Sequence, residues 1–191
     1  MSPGGPILTS VDTSTPPGQK QLSYADLRSL EPQKDTRAPE RTIEVRLGGN
    51  MERYIWTING EKWTKPIDLT YGERVRLTFI NETMMAHPMH LHGMFWQLEN
   101  GQPVEKLPNK HVVTVEPGKS YSVLLTADAP GEWAFHCHLL YHMESGMMTK
   151  AVVATLPADK MPAGHPARHL PAAAPQPETS TPHEQGGHHA H

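Results

Sequence analysis

Residues 136–148 read HCHLLYHMESGMM, and this segment decides both the fold and the chemistry that the sequence predicts. It contains the single cysteine of the chain, Cys137, with a histidine on each side, and His142 and Met147 follow at equal spacing. Thiolate and thioether ligands favour Cu(I), whereas imidazole ligands suit Cu(II). A set that mixes them therefore predicts a copper site in which the metal changes its oxidation state.

The residues just before this segment indicate where its side chains point. EWAFHCH at residues 132–138 is typical of a β-strand, in which successive side chains point to opposite faces. Phe135 and Cys137 would then share one face, and His136 and His138 the other. We expect the thiol to point into the core and the two imidazoles to point away from it.

A second histidine-rich segment lies upstream, where residues 87–94 read HPMHLHGM. In an extended chain His90 and His92 would lie on one face and His87 on the opposite face. Two groups of metal ligands are therefore predicted, back to back.

The two predicted groups differ in their donor atoms. The inner group combines two imidazoles, a thiolate and an axial thioether, as blue-copper electron-transfer sites do: His87, Cys137, His142 and Met147. The outer group has four imidazoles: His90, His92, His136 and His138. Because Cys137 is bonded through its peptide links to His136 and His138, we expect these three residues to provide a short covalent route for electrons between the groups.

The rest of the chain from residue 41 to residue 156 predicts an all-β domain. Alternating or continuous apolar segments separated by turn residues are RTIEVRL, YIWTI, ERVRLTFI, MFWQL, HVVTV, YSVLLT, EWAFHCH and MTKAVVAT. Short strands of this kind with little helix favour an antiparallel sandwich of Greek-key type.

The two ends of the chain have a different composition. Residues 1–40 are rich in Pro, Ser and Thr and are expected to form a disordered linker, with a short helix begun by a capping box of Ser23 and Asp26. Residues 157–191 are expected to be a disordered tail rich in Pro, Ala and His. No secretory signal and no membrane-spanning segment is visible in the sequence.

Composition supports a copper protein and argues against other partners. The 191 residues include 13 His and 10 Met but a single Cys, and the formal net charge is -3. A chain without a basic field offers no affinity for nucleic acid or for an anionic membrane surface.

The ligand segments and the strands from Thr42 onward resemble the C-terminal plastocyanin-like, or cupredoxin, domain of multicopper oxidases. GNMERYIWTINGEKW, YGERVRLTFINETMMAHPMHLHGMFWQLENG and HCHLLYHMESGMM are similar to the bacterial copper-resistance protein A branch of that family. The resemblance implies a copper-dependent oxidoreductase that uses O2, a link to copper resistance and a periplasmic location. It assigns type 1 copper to His87, Cys137, His142 and Met147, type 2 copper to His90, and type 3 copper to His92, His136 and His138.

One departure from the family pattern matters for function. In the family, a second cupredoxin domain supplies two further His-x-His pairs to a three-copper cluster, and residues 41–156 encode only half of that cluster. A partner cupredoxin domain or a homo-oligomer would be needed to complete it. The alternatives are a non-enzymatic copper carrier or sink, and a nonfunctional remnant.

Less specific interpretations of the same residues stay open. A His-x-His pair alone is as typical of a zinc site, although zinc has no need of an axial methionine. Copper nitrite reductases also combine a blue site with a second copper, but the Cys-x4-His-x4-Met spacing and His138 resemble the oxidases more closely. The methionines around the ligands are interpreted first as flexible core packing and second as a Cu(I) docking site: Met84, Met85, Met89, Met94, Met143 and Met148.

Overall fold

The computed structural model describes residue 16, residues 18–50 and residues 52–155. Within this part of the chain the strands are β1 (Arg41–Asn50), β2 (Ile55–Ile58), β3 (Ile67–Thr70), β4 (Arg74–Asn81), β5 (His87–Leu91), β6 (Trp96–Leu98), β7 (Asn109–Lys110), β8 (Val112–Val115), β9 (Ser120–Thr126), β10 (Gly131–Cys137) and β11 (Met148–Ala154). One α-helix, α1 (Leu140–Glu144), and two 3-10 turns, Tyr24–Asp26 and Val104–Lys106, accompany the strands. The predicted all-β sandwich is confirmed.

The strands form two sheets. The first has the order β2-β1-β4-β9-β6-β7, and the second has the order β3-β11-β10-β5-β8. Most neighbouring strands are antiparallel, but β1 pairs with β4, and β3 with β11, in parallel. The sandwich is thus mainly antiparallel, as expected, whereas the two parallel pairs were not predicted. The two parallel pairs are joined by long connections through other strands, and connections of that length are what parallel pairing requires.

All eight segments predicted as strands lie in strands, apart from residues at their ends. Four elements were not predicted: β3, β7, α1 and the 3-10 turn Val104–Lys106. Strands β3 and β7 are short segments that follow Pro66 and Pro108, and they pair at sheet edges, where few apolar residues are needed. Helix α1 is only five residues long, too short to show helical periodicity.

Aromatic side chains from both sheets fill the centre of the sandwich. Phe79 of β4 lies 5.5 Å from Trp96 of β6 and 6.1 Å from Phe135 of β10, measured between ring centroids. All three rings are fully buried. Because Cys137 follows Phe135 by two residues on the same strand, its side chain enters the same core.

Residues 18–40, which we expected to form a disordered linker, instead contact the sandwich. The Tyr24 hydroxyl accepts a hydrogen bond of 2.9 Å from the Thr114 amide, and the Asn100 side chain donates to the Tyr24 carbonyl. Polar residues of this segment pair with backbone groups of the sandwich, so a polar composition does not leave the segment free.

The predicted capping box is present, although the helix it begins is a single 3-10 turn. The Asp26 carboxylate accepts hydrogen bonds from both the amide and the hydroxyl of Ser23, at 2.9 and 2.7 Å. The remainder of the predicted linker and the predicted tail at residues 157–191 lie outside the described residues. No helix of the described part is long and apolar enough to cross a membrane.

A tight turn between β5 and β6 depends on Gly93. Its φ of 75° lies in the left-handed region, and a Cβ atom placed there would lie 2.3 Å from the ring of Trp133. Gly101 has a similar φ of 89°, but a Cβ atom there would meet nothing within 4 Å. The two glycines therefore separate backbone strain from steric overlap.

We expect Gly93→Ala to destabilise the domain more than Gly101→Ala. The control substitution should cost about 1 kcal/mol of backbone strain, whereas Gly93→Ala should cost about 1–3 kcal/mol more because Trp133 must move. Urea unfolding of the two variants measures the difference. Equal losses of stability would contradict the contact with Trp133.

Candidate metal centre

The inner ligand group converges at one end of the core. The Nδ1 atoms of His87 and His142 lie 3.0 Å apart, and the Cys137 sulfur lies 3.8 Å from His87 Nδ1 and 3.7 Å from His142 Nδ1. The three residues are buried, and their donor atoms lie within 4.8 Å of one another. Two imidazole nitrogens and a sulfur thus surround one small volume.

The fold brings these residues together from three places in the chain. His87 begins β5, Cys137 ends β10, and His142 lies in α1. Met147 follows the helix and is fully buried; its amide donates to the His142 carbonyl at 3.0 Å, and its carbonyl accepts from the Cys137 amide at 3.1 Å. These backbone bonds hold the predicted axial residue beside the other members of its group.

Burial sets the protonation states of the inner group. Desolvation, with a smaller effect of His142, lowers the pKa of His87 to about 3, and desolvation also lowers the pKa of His142. Desolvation raises the pKa of the Cys137 thiol to about 11. At neutral pH both imidazoles are therefore neutral and able to bind a metal, whereas the thiol keeps its proton until a metal displaces it.

An indole ring that we did not predict as part of the site lies directly against the inner group. Trp56 of β2 is 1% exposed; its ring centroid lies 4.1 Å from that of His142, at an interplanar angle of 30°, and 5.1 Å from that of His87. Alternation in the segment YIWTI places Trp56 on the buried face, but its contact with the ligands depends on the pairing of distant strands.

The outer ligand group lies on the opposite face of the same strand pair. His90 of β5 is directly opposite His136 of β10, and the Nε2 atoms of His92 and His136 lie 3.1 Å apart. Donor atoms of these three residues lie within 4.8 Å of one another. His92 is exposed, His90 is half-buried and His136 is 8% exposed, so the group is reached from the surface.

His138 lies at the edge of this outer group. Its ring centroid is 5.6 Å from that of His90 and 6.0 Å from that of His136, and its side chain is exposed. The four predicted imidazoles therefore share one face, with His138 more loosely placed than the other three.

Backbone carbonyls fix the orientation of two outer imidazoles. The Nδ1 atom of His90 lies 2.6 Å from the His111 carbonyl oxygen, and the Nδ1 atom of His136 lies 2.9 Å from the Cys137 carbonyl oxygen. Carbonyl oxygens only accept, so both Nδ1 atoms donate and the Nε2 lone pairs remain for a metal. His111 thus contributes through its main chain.

The donor set of the inner group fits copper. Two neutral imidazoles and a buried thiol converge, and the buried Met147 is bonded through its backbone to Cys137 and His142. These residue types match the His2Cys set with an axial thioether that blue-copper sites use. The fold and this group together define a copper-binding domain of the cupredoxin class.

Comparison with known families leads to the same class. The model of the family described as multicopper oxidase matches residues 36–156, and the chain belongs to this family. Copper is the cofactor of the family.

The curated relatives that resemble the chain include copper-resistance proteins. The chain is 51% identical over 140 residues to a copper resistance protein A homolog of Pseudomonas syringae pv. tomato, and 51% identical over 138 residues to copper resistance protein A of Escherichia coli. Each match covers 71% of this chain and 23% of the relative. The chain thus spans less than a quarter of the length of these relatives.

Solved structures give the same fold. A multicopper oxidase of Aquifex aeolicus matches 65% of this chain and 32% of its own, with a TM-score of 0.54 and 25% identity. Fet3p, a multicopper oxidase that functions in iron import, matches 80% of this chain and 37% of its own, with a TM-score of 0.61. At 19% identity the second likeness concerns the fold alone.

We expect the metal-free protein to lose stability as the pH falls from 6.5 to 5. Above the ordinary histidine pKa of 6.5, His87 is neutral in both states; below it the unfolded chain takes up a proton that the folded chain, with a pKa of about 3, does not. The free energy of unfolding should then fall by as much as about 1.4 kcal/mol per pH unit for each such proton.

Urea unfolding at several pH values between 6.5 and 5 measures this slope above the range in which carboxylates titrate. The exposed His111 offers a matched control, because His111→Asn should retain the slope. A stability of the wild-type protein that is constant over this range would contradict the buried neutral state of His87.

Proposed function

We propose that residues 41–156 form an electron-transfer domain of multicopper-oxidase type that acts in copper resistance. The observation that carries this proposal is the position of Cys137. Its sulfur belongs to the buried inner group, while its two peptide links lead directly to His136 and His138 of the outer group. A residue that joins two metal-ligand groups in this way suits the transfer of electrons between them.

The proposed ligand assignment follows the two groups. Type 1 copper would be held by His87, Cys137, His142 and Met147. Type 2 copper would be held by His90, and the type 3 pair by His92, His136 and His138. Copper bound in these sites would supply a one-electron couple at the inner site and the reduction of O2 at a completed outer cluster.

The chain's own residues prepare the inner site for this task. Neutral imidazoles offer lone pairs without competition from protons, and the core around Phe135 excludes water from the sulfur. Trp56 packs against both rings and limits their movement. Ligands held in place by packing change little in position when the charge of the site changes, which favours rapid electron transfer.

The outer group requires histidines from another domain. Its four imidazoles share one face, and both His92 and His138 are exposed there. A partner cupredoxin domain that supplies two His-x-His pairs would complete the set, and a second copy of this chain could approach the same face. The names of the copper-resistance relatives support a task in copper resistance, for which we propose the periplasm as the location and Cu(I) or phenolic compounds as the reductant.

A second candidate function is a non-enzymatic copper carrier or sink. One observation favours it: the inner group is complete within a single chain and needs no partner. A carrier would bind and release copper without consuming O2, so oxygen uptake separates the two candidates.

We expect the copper-loaded protein to show an intense thiolate-to-Cu(II) absorption band in the red, and Cys137→Ser to abolish it. Met147→Leu should retain the band and raise the reduction potential, since losing the axial donor disfavours Cu(II). The double variant His90→Ala, His138→Ala is the control and should keep the band. A colourless wild-type protein with copper bound would overturn the type 1 assignment.

We also expect the chain alone to lack sustained oxidase activity, because four imidazoles on one face cannot enclose three copper ions. Adding a cupredoxin domain that carries two His-x-His pairs should restore oxygen uptake, and the double variant His90→Ala, His138→Ala should prevent that restoration. Sedimentation of the chain with and without copper reports whether a second copy serves as the partner. Sustained oxygen reduction by a chain that sediments as a monomer would argue against a shared cluster.

A further inference from the structure

A hydrogen-bonded network of two polar side chains, the buried Asn81 and the half-buried Thr83, lies behind the inner ligand His87. The Nδ1 atom of His87 points at the other inner ligands, and its Nε2 atom lies 2.7 Å from the Thr83 hydroxyl oxygen. That hydroxyl lies in turn 2.8 Å from the Asn81 side-chain oxygen. Backbone groups that bind Asn81, the residue of this network farthest from the metal site, determine the direction of each of these hydrogen bonds.

The Asn81 amide is oriented by three backbone partners. Its nitrogen lies 2.7 Å from the Met85 carbonyl oxygen and 2.9 Å from the Val115 carbonyl oxygen, both of which only accept. Its oxygen lies 2.9 Å from the Thr83 amide, which only donates. The amide nitrogen must therefore face the two carbonyls, and the amide oxygen must face Thr83.

The orientation of Asn81 determines where the Thr83 hydroxyl proton lies. Two oxygens 2.8 Å apart need a proton between them, and the Asn81 oxygen has none to give. The Thr83 hydroxyl therefore donates to Asn81, with the Met85 carbonyl oxygen at 3.1 Å as a second acceptor, while the Met85 amide donates back to the hydroxyl oxygen at 3.3 Å. Neither acceptor oxygen has a proton to give, so a lone pair of the Thr83 oxygen faces His87. The Nε2 atom of His87 must then carry the proton, which leaves the lone pair on Nδ1.

We propose that Asn81 and Thr83 are positioning residues that select the Nε2-protonated tautomer of His87 and so present its Nδ1 lone pair to copper before the metal arrives. The proposal rests on the proposed copper site, although its first test needs no metal. It also determines the metal-free arrangement of the second imidazole: His142 Nδ1 must donate across the 3.0 Å contact, since His87 Nδ1 has no proton.

In the outer group the opposite ring nitrogen of two histidines carries the proton. There the nitrogens that face backbone carbonyls are the Nδ1 atoms of His90 and His136, so the opposite tautomer is selected and Nε2 is left for a metal. The two groups lie back to back on the same strands, so the acceptor behind each ring, rather than the strand itself, selects the ligating nitrogen.

The first test is a long-range proton–nitrogen NMR correlation on the metal-free protein labelled with nitrogen-15, which reports which ring nitrogen of each histidine carries a proton. We expect Nε2–H for His87 and Nδ1–H for His142 in the wild-type protein. Nδ1–H at His87 would overturn the proposal, and this outcome needs no variant that must fold.

The second test removes the hydroxyl. Thr83→Val keeps the shape of the side chain and should shift His87 toward the Nδ1–H tautomer and weaken Cu(I) binding about 10- to 100-fold in a competition with bicinchoninate. Thr83→Ser, which keeps the hydroxyl, should restore both readouts. Thr78→Val is the matched control, because the Thr78 hydroxyl bonds the Ser122 hydroxyl between β4 and β9 of the first sheet, whereas His87 begins a strand of the second sheet. It should leave both readouts unchanged.

The outcomes separate this proposal from the function on which it rests. A wild-type protein that binds no copper would refute the proposed function while leaving the tautomer measurement valid. A wild-type protein that binds copper, together with a Thr83→Val variant of the same tautomer and the same affinity, would refute the positioning by Asn81 and Thr83.

Discussion

The pairing of β5 with β10 is the constraint on which both metal-ligand groups depend. Its register places Cys137 opposite Met89 and His136 opposite His90. Because side chains alternate along each strand, the first pair faces the core and the second faces outward. A slip of one residue would send the thiol to the surface and an imidazole into the core, so burial of the apolar face and formation of the two groups select the same register.

Much of this arrangement could be predicted from the sequence, because it follows from local alternation. The parity of residues around Cys137 separated the two groups, and the apolar segments identified the strands. What could not be predicted depends on distant parts of the chain. The contact of Trp56 with His142 requires β2 to meet α1, and the docking of Tyr24 requires the amide of Thr114. No periodicity within a segment reports such pairings.

The tautomers of the histidines show the same limit at the scale of single atoms. A His-x-His pattern specifies which imidazoles share a face, but not which nitrogen of each ring is free. That choice comes from the acceptor behind the ring: a hydroxyl four residues earlier for His87, and the carbonyl of His111, the residue just before β8, for His90. The local sequence thus determines which residues can be ligands, whereas tertiary contacts determine which ring nitrogen of each histidine is free to bind a metal.

At the proposed inner copper site, burial then couples metal binding to protonation. The dry environment that keeps the imidazoles neutral also raises the pKa of Cys137 to about 11, so the metal-free thiol is protonated and a poor nucleophile. Only an ion that binds the thiolate strongly can displace that proton, and the neutral imidazoles offer no competing charge. A cation that prefers oxygen ligands would gain too little binding free energy from the sulfur to offset the cost of removing the thiol proton. Selectivity for a thiophilic metal therefore follows from the same packing that holds the ligands in place.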